Sequence, residues 1–116
     1  MSNVVRAALV QCEWTGDKES MVEKNLAYGR EAAEAGAQVL CFQEIFSTGY
    51  FCNVQDPSYY DEAEEIPDGP TISKVMRLAK EQIDPANAEL HRKLDIFIKQ
   101  EMQHCKLHLS FNKAIR

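Results

Sequence analysis

The sequence predicts an α/β fold that opens strand, helix, strand, helix. Three observations predict it. An apolar run extends from Val4 to Cys12, a helix-period segment closes at Gly36, and a second apolar run from Val39 to Phe42 leads into Glu44. Neither apolar run alternates with polar residues, as expected of parallel strands covered on both faces. Strand, helix and strand within roughly fifty residues join as a right-handed βαβ unit with parallel strands.

The first strand is expected over Val4 to Cys12, with Arg6 its one charged member, and Glu13 to Gly16 forms a turn. A helix then starts near Asp17 or Ser20. Ser20-Met21-Val22-Glu23 has the form of a capping box, and Asp17 is the competing cap three residues earlier. Val22, Leu26, Gly29 and Ala33 fall at i, i+4, i+7 and i+11. They make one narrow apolar face, and its small members allow close approach to a sheet. Glu19, Glu23, Glu31 and Glu34 are expected to face water. Gly36 suits the left-handed residue that ends a helix.

The strand Val39–Phe42 puts Glu44 at or just past its carboxyl end, where parallel α/β folds build ligand sites. A carboxylate held between apolar walls resists ionisation, which suits a general acid or base. The alternative is a solvated carboxylate at a strand end. Residues 45–69 form a long connection punctuated by Gly49, Pro57, Pro67 and Gly69. Connections longer than about 12–15 residues are usually functional or disordered. Tyr50, Phe51, Tyr59 and Tyr60 favour an ordered one. Asp61-Glu62-Ala63-Glu64-Glu65 reads as a solvated acidic face, without the spacing of a calcium loop. Pro70 or Thr71 opens a second helix, with Ile72, Val75, Met76 and Ala79 on its inner face.

The pattern changes after Gln82. Pro85 to Glu89 looks like a fresh helix start, and Leu90, Leu94, Phe97, Ile98 and Met102 form an apolar stripe across residues 86–104. Leu107, Leu109 and Phe111 alternate with His108 and Ser110, the period of a short strand. The chain therefore divides into residues 1–82 and a tail, residues 83–116.

The 116 residues carry a net charge of −5, which argues against nucleic-acid or anionic-membrane partners. Residues 1–82 hold 7 Lys and Arg against 14 Asp and Glu, a charge of −7, while the tail holds 6 against 4, a charge of +2. No charged-then-apolar leader opens the chain, and no apolar run approaches the ~20 residues of a membrane span. The expectation is a cytoplasmic protein. Cys12, Cys41, Cys52 and Cys105 form no CxxC pair, so neither a zinc nor a redox site is indicated. His104 and His108 stand at i, i+4, but no third metal ligand accompanies them.

The order of pieces carries a resemblance. Val4-Val5-Arg6-Ala7-Ala8-Leu9-Val10-Gln11-Cys12, then Ala35-Gly36-Ala37-Gln38, then Cys41-Phe42-Gln43-Glu44, then Thr48-Gly49-Tyr50-Phe51-Cys52 and Ile66-Pro67-Asp68-Gly69-Pro70-Thr71 follow one another. Together they resemble the amino-terminal part of the carbon–nitrogen hydrolase (nitrilase) superfamily, nearest its N-carbamoyl amidase, β-ureidopropionase-like branch, over about residues 4–81. The resemblance implies part of one layer of an αββα sandwich. It implies hydrolysis of amide or N-carbamoyl C–N bonds by a Glu-Lys-Cys triad, with a small amide or N-carbamoyl substrate, no cofactor and no metal. Glu44 corresponds to the general base of that triad. Gln43 stands where many members carry Pro. Tyr50 and Phe51 fall beside the substrate pocket, or else anchor the loop to the core. Family enzymes associate, which implies a homo-oligomer or association with a longer homologue.

Only Glu44 of the triad has a counterpart here. Lys93, Lys99, Lys106 and Lys113 lack the family's surroundings, Cys52 lies too near Glu44, and Cys105 has no family-like context. On a strand, adjacent Cys105 and Lys106 would point to opposite faces. Three readings are open to the sequence. One is a truncated or rearranged family member, inactive alone. Another is one piece of a multi-chain amidase. The third is a non-catalytic interaction or oligomerisation module, for which the charge split and the 86–104 stripe offer a surface.

Overall fold

The structure is a computed structural model that describes residues 4–82 and, beyond them, residues 88, 89, 92 and 96. Its elements run β1 (Ala7–Leu9), α1 (Lys18–Glu34), β2 (Val39–Cys41), a 3-10 helix (Pro57–Glu62) and α2 (Pro70–Glu81). The fold is α/β, with the expected order of strand, helix, strand, helix. Of the helix expected over residues 86–104, residues 88, 89, 92 and 96 are helical; the rest of it, and the strand expected after it, with His104 and His108, lie outside the described residues.

β1 and β2 pair in parallel, Ala7 opposite Val39, Ala8 opposite Leu40 and Leu9 opposite Cys41. Both are shorter than the apolar runs. A strand is only as long as its partner allows, and β2 has few residues between the turn at Gly36 and the turn at Glu44. Coverage differs from expectation too. Alternate strand residues face opposite sides. Ala8 and Leu40 are half-buried, but Leu9 is 83% exposed and Val39 53%, with Ala7 and Cys41 also exposed. The apolar composition suggested cover on both faces. Within residues 4–82, however, α2 packs against α1, and the face bearing Leu9 and Val39 stays open.

Asp17, not Ser20, caps α1. Its backbone is extended, and its Oδ1 accepts the Ser20 N–H at 2.9 Å while the Ser20 hydroxyl reaches Oδ2 at 2.6 Å. Ser20 is thereby used up inside the Asp17 cap, and the capping box is not formed. The side-chain and backbone bonds from Ser20 hold the Asp17 carboxyl below its usual value. The buried face of α1 is Met21, Val22, Asn25, Leu26 and Gly29. Val22 and Leu26 meet Leu78 of α2 in the core, with Val75 packed beside them. A Cβ on Gly29 would lie 2.5 Å from Leu78 Cδ2 and 3.3 Å from Leu40 Cδ2. The missing side chain lets both α2 and β2 close on the helix. Gly36 (φ +78°) ends the turn after α1 in the left-handed region, as expected.

Pro70 is the first residue of α2. The inward face of the helix is shifted from the one expected, although Val75 still packs beside the core. Thr71 and Leu78 are buried, whereas Ile72, Val75, Met76 and Ala79 are half-buried. The cause lies at the helix start, where Thr71 is drawn in by Glu64. The Thr71 amide donates to Glu64 Oε2 at 2.8 Å and its hydroxyl to Oε1 at 2.6 Å. Gly69 supplies no side-chain cap of its own, so a loop carboxylate five residues earlier does the capping.

Candidate active site

The ladder between β1 and β2 continues for one bond past the strands. Val10 N–H donates to the Cys41 carbonyl at 2.9 Å. In a parallel pair, alternate residues donate in turn, so Cys12 N–H should next meet the main-chain carbonyl of residue 43. It meets the side chain instead, with Gln43 Oε1 accepting from Cys12 N–H at 3.2 Å. The Cys12 thiol lies 3.5 Å from the same oxygen. The backbone of Gln43 is thus free to leave the sheet, and Glu44 and Ile45 form a turn.

Glu44 lies just past the carboxyl end of β2, where the sequence put it. Its surroundings differ from expectation. Glu44 is exposed, so the described residues do not enclose it. It stands where two clefts meet. One, of about 700 Å³, is lined by Glu44, Phe51, Tyr59, Tyr60, Asp56 and Glu62 among others. The second, of about 340 Å³, is lined by Cys12, Trp14, Gln43, Glu44 and Tyr50 among others. Phe51 and Tyr50 therefore flank Glu44 in separate clefts and do not share a single pocket. The Phe51 ring lies 5.4 Å from that of Tyr59, although Phe51, Tyr50 and Tyr60 are all exposed.

Among the described residues, no lysine, arginine or histidine lines the larger cleft. Three carboxylates do: Glu44, Asp56 and Glu62. Hydrogen bonds from the backbone and side chain of Ser58 keep the Asp56 carboxyl below its usual value, so it stays charged near neutral pH. Cys12 is a half-buried free thiol, and Cys41 and Cys52 are exposed free thiols. Among the described residues, no group of three His, Cys, Asp or Glu is arranged to hold a metal ion.

The acidic run is more than a solvated face. Asp61 and Glu65 are exposed, but Glu64 caps α2 and also binds Lys18 of α1 at 2.8 Å. Lys18 lies 3.5 Å from Glu62 and donates to the Glu62 carbonyl at 2.6 Å. Partial burial pushes the Glu64 carboxyl up. Hydrogen bonds from Lys18 and Thr71 outweigh it, and the net shift is down.

Sequence reading passed over three residues at the site. Trp14, assigned to a turn, lines the smaller cleft and sits over Gly49. Gln43, in the sequence only a replacement for Pro, accepts the Cys12 N–H. Asn25 is fully buried, its Nδ2 donating to the Met21 carbonyl at 2.9 Å and to the Phe46 carbonyl at 3.3 Å. The available signal was its place in the stripe: Asn25 stands three residues after Val22, in phase with the buried face.

A family profile described as carbon–nitrogen hydrolase matches residues 6–83. The chain is 32% identical over 80 residues to an N-carbamoylputrescine amidase of Solanum lycopersicum, covering 69% of this chain and 27% of that protein. It is similar to N-carbamoylputrescine amidases of Arabidopsis thaliana, with 38% identity over 52 residues (45% of this chain, 17% of that one), and of Oryza sativa subsp. japonica, with 34% over 77 residues (66% and 26%). The chain spans about a quarter of the length of these curated relatives at most. No solved structure matches it.

Proposed function

The chain belongs to the carbon–nitrogen hydrolase family, and from that premise we propose that residues 1–82 are the base-bearing part of an amidase for small N-carbamoyl amines, with Glu44 as its general base. The observation that supports this role is position. Glu44 leaves the carboxyl end of β2 through a turn and borders both clefts. A base at that point reaches a ligand in either.

In the family reaction a thiolate attacks the carbamoyl carbon, an amine or ammonia leaves, water hydrolyses the resulting S-carbamoyl (thiocarbamate) enzyme, and the carbamic acid released loses carbon dioxide. The net change turns a carbamoylated amine and water into free amine, carbon dioxide and ammonia. Glu44 would take the thiol proton, give it to the leaving nitrogen, then take a proton from water and return it to the departing cysteine sulfur. A lysine would stabilise the oxyanion. We assign that lysine and the nucleophilic cysteine to family sequence outside residues 4–82, in the same polypeptide or in an associated longer homologue. The open face of Leu9 and Val39 is where the second sheet of an αββα sandwich would pack.

Charge favours one end group on the substrate. The carboxylates of the larger cleft attract an ammonium and repel a carboxylate, although Lys18 offsets part of the charge on Glu62. The ring faces of Phe51, Tyr59 and Tyr60 add cation–π attraction. N-carbamoylputrescine, with a free amine end, fits this lining better than N-carbamoyl-β-alanine, with its carboxylate.

The test is ammonia release from these two compounds. The folded 116-residue protein should release none alone. Substituting residues 6–83 for the matching opening of the tomato enzyme should give a chimera that prefers N-carbamoylputrescine, and Glu44→Gln should abolish its activity. A folded chimera that stays active with Glu44→Gln would refute Glu44 as the base. A preference for the carboxylate substrate would refute the reading of the cleft.

A further inference from the structure

Glu44 is exposed, yet the turn that carries it is tied down on both sides by amide side chains from different parts of the chain. On the amino-terminal side, Gln43 Oε1 holds Cys12 N–H at the tail of β1, 3.2 Å away. On the carboxyl-terminal side, the Phe46 carbonyl is held by Asn25 Nδ2 of α1 at 3.3 Å. The two ties converge, because Asn25 Nδ2 is also 3.9 Å from the Cys12 thiol. The ring of Phe46 stacks on that of Phe42, centroids 5.0 Å apart, across the same turn.

We propose that Gln43 and Asn25 are positioning residues that clamp the Glu44 turn between β1 and α1. The functional value of the clamp rests on the reading of Glu44 as a base; the clamp itself does not. Two features point to positioning over bulk stability. Gln43 spends a side-chain carbonyl where an ordinary strand would use its backbone, and so gives the chain its exit from the sheet. Asn25 is 0% exposed, and its Oδ1 has no hydrogen-bond partner among the described residues. An unpaired buried acceptor is a cost that an apolar residue would not carry. The remaining half of the amide reaches the turn. A general base must meet its proton within about 2.6–3.2 Å, and an exposed glutamate on an untethered loop would seldom hold that distance.

Amide hydrogen exchange and relaxation by NMR on the 116-residue protein test the clamp without any turnover assay. Gln43→Met removes the acceptor at similar size, and Gln43→Glu restores one. With Gln43→Met, the Cys12 amide should exchange about tenfold faster, and the amides of residues 44–47 should gain motion. The amides of α1 from Met21 to Gly29 should keep wild-type rates. Gln43→Glu should return Cys12 and residues 44–47 toward wild type. Asn25→Leu should loosen residues 45–47 in the same local way. Unchanged Cys12 and turn amides in Gln43→Met would overturn the proposal. So would acceleration spread equally over α1, which would mean a loss of global stability. The Gln43 pair decides the matter even if Asn25→Leu fails to fold. The ammonia assay on Glu44→Gln separately decides whether the clamped residue is a base.

Discussion

Glu64 joins three segments through one carboxylate, and the direction of its pKa fixes how pH should act on it. Its folded value is lowered, so the unfolded chain takes up the proton first as pH falls. The stabilisation is complete above the ordinary carboxylate range and is lost as pH drops through that range toward the folded value. Urea midpoints measured from about pH 6 to pH 3 should therefore fall, and should fall less steeply in Glu64→Gln than in wild type. A parallel decline in both proteins would remove Glu64 from the account. At the other site, Gln43→Met in the tomato chimera should lower kcat about ten- to hundredfold with KM little changed, since misplacing a base slows chemistry more than binding. The position of Glu44 just past β2 was legible in the sequence, because an apolar run ending in a carboxylate is a pattern that strand geometry explains. Asn25 was not. A polar residue in phase with an apolar stripe becomes informative only once Phe46 is known to lie opposite it. Glu64 was hidden for a related reason, since its partner Lys18 is 46 positions away in the sequence.

The helices and strands were legible in kind and order, and less so in extent and facing. Of the stripe Val22, Leu26, Gly29 and Ala33, the first three are buried as the period required and Ala33, in the last turn, is half-buried. The length of β1 depends on β2, and a run of apolar residues carries no record of its partner's length. The facing of α2 follows Thr71, and its rotation is set by a loop carboxylate that helical periodicity cannot see. Gly29 shows what close approach demands. A valine there would put its Cβ against Leu78 and Leu40 and should destabilise by about 1–3 kcal/mol, read from thermal or urea unfolding followed by circular dichroism. An unchanged midpoint would mean that Leu78 moves aside at no cost.

Across residues 4–82 the open side of the sheet matters most. Leu9 is 83% exposed, so Leu9→Ser should shift the stability of the 116-residue protein by no more than about 0.5 kcal/mol. In the tomato chimera the same substitution should cost more, because that face would be covered by a second sheet. Equal effects in both settings would count against the sandwich. Among the described residues no helix is long and apolar enough to cross a membrane.

Lys74 of α2 reaches Glu19 and Glu23 in the first turns of α1, and the Glu64 that caps α2 also holds Lys18, the first residue of α1. The two helices therefore start together and point the same way. Each helix start carries about half a positive charge from its aligned peptide dipoles, and two such ends side by side repel. Glu64 and Glu19 sit at that junction and act as its counter-charge. The acidity of this part of the chain is thus in part an answer to helix geometry, and replacing those carboxylates with neutral residues would let the paired starts splay.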